Sequence, residues 1–110
     1  MTIHEATDRS LRRATVFQHG NRAGELKETR SGWEFVYDDD YDGFPVSLTL
    51  PVRREPYSFD RFPPFFDGLL PEGVQLDTLL RKHKIDRKDH FRQLVIVGED
   101  LVGSVTVKEL

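Results

Sequence analysis

The sequence predicts an α+β domain: an antiparallel sheet, made of a meander plus a returning C-terminal strand, with about three helices packed on one side. Three observations carry that expectation. Apolar residues alternate with a period of two in the first half, recur at helical spacing in the second, and alternate again near the C-terminus. With 110 residues, 37% of them hydrophobic and eight of them Phe, the chain is long enough for one core. Such a core buries roughly 60–70% of the unfolded surface.

Residues 1–13 are polar, lack a clear period and include Arg9, Arg12 and Arg13, so they read as a loose N-terminal arm before a single domain at 14–110. Thr15 to His19 reads as a strand, Gly20-Asn21 as a turn and Gly24 to Lys27 as the antiparallel return. Arg30-Ser31-Gly32 makes the next turn. Trp33, Phe35 and Tyr37 then alternate with Glu34 and Val36, as expected of a strand with one face on a core. After an acidic loop, Val46, Leu48 and Leu50 alternate with Ser47 and Thr49, predicting a fourth strand that Pro51 ends.

The second half changes period. Phe62, Phe65, Phe66, Leu69 and Leu70 follow the spacing of one helix face, with Asp60 or Ser58 as the cap and Gly68 and Pro71 as interruptions. Leu76, Leu79 and Leu80 mark a second helix ending near Lys84. Asp86 caps a third, in which Phe91, Leu94 and Val95 share a face and Gly98 is the stop. Gly103 to Val107 returns as the last strand.

Searches for chemistry find little. The absence of cysteine excludes disulfide scaffolds and cysteine-based zinc sites. No run approaches the ~18 apolar residues of a membrane span, and the N-terminus lacks a basic region followed by an apolar one, so a cytoplasmic location is expected. Asp38-Asp39-Asp40-Tyr41-Asp42-Gly43 opens like a calcium-binding EF-hand loop. Thr49 then stands where a bidentate Glu is needed and Pro45 interrupts, which leaves an acidic hairpin loop. The histidines are scattered, no serine sits in a nucleophile elbow, and no glycine-rich phosphate loop exists. No catalytic residue, metal ligand or cofactor is expected, and the chain does not read as an enzyme.

What remains is recognition. The segment from Phe62 to Gly73 concentrates aromatic and leucine side chains between prolines and glycines, and Phe62, Phe65, Phe66, Leu69, Pro71 and Glu72 are the candidate partner contacts. The net charge of -3 is unevenly spread. Gln18 to Asp60 holds five basic against nine acidic residues, whereas Leu80 to Arg92 holds six basic against two acidic. Solvated faces are the default reading of such runs. Arg81, Lys82, Lys84, Arg87 and Lys88 are nonetheless candidates for electrostatic docking. The acidic balance of the whole argues against direct nucleic-acid contact, and none is expected.

Three segments resemble the N-terminal subdomain of the HipA-type serine/threonine kinases, the toxins of persistence toxin–antitoxin modules. Gly43-Phe44-Pro45-Val46-Ser47-Leu48-Thr49-Leu50-Pro51 is similar to that family's P-[LV]-S-L-[ST]-L-P segment. Phe65-Phe66-Asp67-Gly68-Leu69-Leu70-Pro71-Glu72-Gly73 is similar to F-F-x-x-L-L-P-E-G. Asp89-His90-Phe91 through Leu94, with Gly98-Glu99-Asp100-Leu101-Val102-Gly103-Ser104-Val105, is similar to D-x-F-x-L-L-x-x-x-G-x-D-x-x-G-A-V. Order and spacing agree over about residues 15–108. None of the kinase core's catalytic residues can be carried over. The resemblance implies a HipS-like antitoxin that binds and neutralises a HipA-like kinase, HipT, alongside a DNA-binding helix-turn-helix HipB. The alternative readings are an activating or completing lobe of a split kinase, or a co-repressor component of a DNA-bound complex.

Overall fold

The computed structural model describes residues 11–101 and 103–110. Five strands, β1 (Arg13–Gln18), β2 (Asn21–Thr29), β3 (Gly32–Tyr37), β4 (Tyr57–Phe59) and β5 (Val105–Glu109), form one antiparallel sheet in the order β4-β3-β2-β1-β5. Between β4 and β5 run α1 (Pro64–Asp67), α2 (Gly73–His83) and α3 (His90–Val97). The α+β architecture and the returning C-terminal strand are thus as expected; β5 pairs with β1.

The period-two pattern explains which face is covered. Ala14, Val16, Leu26, Phe35, Tyr37, Val105 and Val107 point to one side and are buried there by Phe66 of α1 and by Phe91 and Leu94 of α3. Trp33 packs on the same side, stacked on Phe91 at 5.5 Å and edge-on to Phe62 at 5.1 Å. The opposite face carries the ion pairs Arg13–Glu25, Arg22–Glu25 and Arg22–Asp38. Exposed pairs of this kind contribute only about 0–1 kcal/mol each, so the aromatic side is what holds the fold.

Several elements differ from expectation, each for an identifiable reason. The first turn is at His19-Gly20, one residue early, with φ of 52° and 81°, the left-handed pair that joins two strands tightly. Arg12 and Arg13, assigned above to a loose arm, are held: Arg13 opens β1, and Arg12 is fixed by Glu28 and Asp89. Positions 1–10 of that arm lie outside the described residues.

The strand expected at Val46–Leu50 does not form. Pro45 and Pro51 remove two ladder donors, and the Ser47 hydroxyl takes the Thr49 N–H at 3.1 Å while the Ser47 carbonyl takes the Leu50 N–H at 3.0 Å. A tight turn wins. Val46 and Leu50 still face the core because the Tyr37 hydroxyl accepts the Val46 N–H at 3.0 Å and donates to the Leu50 carbonyl. The fourth strand is instead Tyr57–Phe59, three residues long and too short to show a period.

The Phe-rich helix is only four residues, starts behind Pro63 and has no side-chain cap from Asp60 or Ser58. In α3 the cap is Asp89, whose Oδ1 accepts the Arg92 N–H at 3.1 Å, while Asp86 closes the preceding turn through the Lys88 N–H at 2.7 Å. Asp89 wins because it lies directly before the helix. Gly98 does end α3, though with φ −52° rather than in the left-handed form. Its role is close approach: a Cβ there would sit 2.0 Å from the Val107 carbonyl oxygen of β5.

Candidate functional site

The segment from Phe62 to Gly73 divides into an inward and an outward part. Phe66 is fully buried and Phe62 is 9% exposed; they pack against Phe35 at 5.6 Å and Trp33 at 5.1 Å. As partner contacts these two are withdrawn, because their rings are part of the core. Phe65 stands edge-on to Phe66 at 5.1 Å and is half-buried, as are Leu69 and Pro71; Glu72 is exposed.

Local structure produces that split. After α1 the chain continues in single turns, with the Leu69 N–H on the Phe66 carbonyl at 3.1 Å and the Leu70 N–H on the Asp67 carbonyl at 3.1 Å. Pro71 lacks an N–H and stops the series. The regular helix expected over 62–70 would have put all five apolar residues on one face; the short helix and turns turn Phe65 and Leu69 aside instead. Each borders a cleft of about 290 Å³. One is lined by Thr49, Leu50, Phe59, Pro64 and Phe65, the other by Gly68, Leu69, Pro71, Gln75, Val97 and Leu101 among others.

Helix α2 continues this surface. None of its residues is buried, Val74 is 80% exposed, and Leu76, Leu79 and Leu80 are half-buried without joining the core cluster. Arg81, Lys82 and His83 fill its last turn, where cations suit the partial negative charge of a helix end. Lys84 closes it with φ 55°. Arg81, Lys82, Lys84, Arg87 and Lys88 are all exposed, and of these Arg87 pairs with Asp77 at 2.7 Å. The five cations are therefore gathered where α2 ends and the loop to α3 begins. Among the described residues, no group of three His, Asp or Glu side chains is placed to hold a metal ion.

Sequence reasoning missed Arg12 as an organiser. Its guanidinium spans both carboxylate oxygens of Glu28 at 3.1 and 3.2 Å, reaches Asp89 at 2.8 Å, and lies over the Phe91 ring at 5.0 Å. The Glu28 hydrogen bonds, with Asp89 and against partial burial, hold its pKa above the ordinary arginine value. Nothing in its local sequence marks it, because its partners lie 16 and 77 residues away.

An open five-stranded antiparallel sheet with one face covered by helices defines an α+β domain. The family described as the HipA N-terminal domain matches residues 14–108, and the chain belongs to it. A solved structure described as the N-terminal domain of HipA toxin superposes with a TM-score of 0.72 at 33% identity, covering 90% of this chain and 92% of that one. A protein of Haemophilus influenzae is 36% identical over 99 residues, 90% of this chain and 93% of its own length. The proposed kinase Y4mE of Sinorhizobium fredii is 32% identical over 101 residues, 87% of this chain but 24% of its own. The chain thus spans nearly all of one relative and about a quarter of the other. No helix among the described residues is long and apolar enough to cross a membrane.

Proposed function

We propose that this chain is a non-catalytic antitoxin that binds a separately encoded HipA-like serine/threonine kinase and inhibits it. The observation that carries this reading is the outward half of the Phe62–Gly73 segment: Phe65 and Leu69 pack on the margin of the core and stay half-exposed, as does Pro71, and Glu72 is exposed. Half-buried aromatic and leucine side chains on a rigid turn suit the centre of an interface of roughly 800 Å² per partner. The cations from Arg81 to Lys88 then steer association with an acidic part of the kinase. Inhibition follows from occupying space that ATP or substrate needs. The match to a relative of similar span supports action in trans, and the match to about a quarter of a proposed kinase supports a kinase as partner.

The test is kinase activity of the HipA-like protein encoded in the same genome, measured with and without this chain. Activity should fall, and Phe65→Ala should relieve the inhibition more than it lowers the melting temperature. A rise in activity on adding the chain would replace inhibition by completion of a split kinase. A DNA-side role of the chain itself would require steeply salt-dependent binding to duplex DNA by the isolated protein.

A further inference from the structure

Leu48 is 95% exposed, the highest value among the large hydrophobic side chains described, yet it sits between Val46 and Leu50, which are both buried. Everything around it is braced. Gln18 Nε2 donates to the Pro45 carbonyl at 2.8 Å, the Tyr37 hydroxyl ties Val46 to Leu50, and the Ser47 hydroxyl and carbonyl hold Thr49 and Leu50. The Tyr57 hydroxyl donates to the Pro51 carbonyl. Among the described residues, Leu48 is therefore an apolar side chain of a fixed turn that is left almost wholly exposed.

Two features around it specify what it meets. Phe44, 72% exposed, lies on the same loop, and Thr49 lines the apolar cleft that Phe65 borders, so the knob is continuous with the accessible part of the Phe62–Gly73 segment. The second feature is charge. Asp39, Asp40 and Asp42 are exposed and, among the described residues, without an ion-pair partner, while Asp38 is paired with Arg22. The Tyr37–Tyr41 stack, at 5.7 Å, joins this acidic loop to the turn.

We infer that Leu48 is a preformed docking knob that enters an apolar pocket rimmed by cationic side chains on the HipA-like kinase. The inference rests on the proposed function for the identity of the partner, and adds a second contact with its own chemistry. Neighbouring carboxylates repel the phosphates of nucleic acid and of anionic lipid, which leaves a protein pocket with a basic rim as the complementary surface. Because the turn is already held, little ordering is needed on binding, and the apolar burial of Leu48 goes into affinity.

The experiment is calorimetric titration of the purified HipA-like kinase from the same genome with the wild-type chain, Leu48→Ala, Leu48→Asp and the triple change Asp39→Asn, Asp40→Asn, Asp42→Asn. Leu48→Ala should raise Kd about tenfold or more, as expected for losing one buried leucine, with an unchanged melting temperature. Leu48→Asp should raise it further, and the triple variant should bind with a weaker dependence on salt. Equal Kd values for wild type and Leu48→Ala would overturn the inference and leave kinase binding intact. No binding by wild type would overturn the proposed function and the inference together. A wild-type dimer in light scattering that Leu48→Ala dissolves would assign the knob to a second copy, and so overturn it too.

Discussion

Helices α2 and α3 lie next to each other in sequence and are held in opposite ways. Helix α3 buries Phe91, Gln93 and Leu94, is capped by Asp89, and meets both α1 and β5. Helix α2 is longer, has no side-chain cap and buries nothing. Its Asp77 accepts from the Arg87 guanidinium at 2.7 Å, while the Gln93 side-chain amide of α3 donates to the Asp86 and Arg87 carbonyls of the loop between the two helices at 3.3 and 3.0 Å. The difference shows that helical pattern alone does not say whether an element belongs to the core. What decides is whether its apolar side chains meet rings from the sheet.

The largest test of that comparison is to truncate one side chain in each helix. Phe91→Ala removes a buried ring stacked on Trp33 and should cost about 3–5 kcal/mol in urea unfolding. Leu79→Ala, from a half-buried site outside the core cluster, should cost less than about 1 kcal/mol. Equal losses would mean that α2 is part of the core after all.

Tyr37→Phe asks whether the turn at Val46–Leu50 is held like α3 or like α2. It leaves the Val46 N–H and Leu50 carbonyl buried without their partner and should cost about 1–3 kcal/mol. Burial also raises the Tyr37 pKa above its ordinary value of 10.0. The neutral phenol is therefore favoured by folding, so its contribution is intact below pH 10 and is lost as pH rises through the higher folded value. Alkaline unfolding curves of wild type should steepen relative to Tyr37→Phe in that range.

Asp89→Ala should cost about 0.5–2 kcal/mol, since it removes the α3 cap and one of the two carboxylates on Arg12. Smallest in stability is Lys82→Glu with Lys84→Glu at the exposed end of α2, expected within about 0.5 kcal/mol. That pair should act instead on the kinase association rate and its salt dependence. Unchanged association would remove the basic end from the proposed interface.

The sheet half of the fold was legible because Trp33, Phe35 and Tyr37 alternate cleanly and the β2–β3 turn carries glycine. The turn at Ser47–Leu50 was not, since Val46, Leu48 and Leu50 alternate as in a strand while side-chain hydrogen bonds and two prolines impose another path. The site was half legible. Composition singled out the segment from Phe62 to Gly73, but periodicity could not tell Phe66 from Phe65, because one turn's difference in helix length decides which ring faces Phe35. Leu48 was hidden for the same reason as the turn that presents it.

The meeting of Gly98 with β5 has a consequence for solubility. The Val107 N–H, on the outer margin of the sheet, donates to the Gly98 carbonyl at 3.0 Å, and the opposite margin is the three-residue β4. One margin is plugged by a helix end and the other is too short to template much. A domain that displays an unpaired leucine and an uncovered helix is thereby kept from lengthening its sheet with copies of itself, so stickiness is confined to side chains and kept out of the backbone.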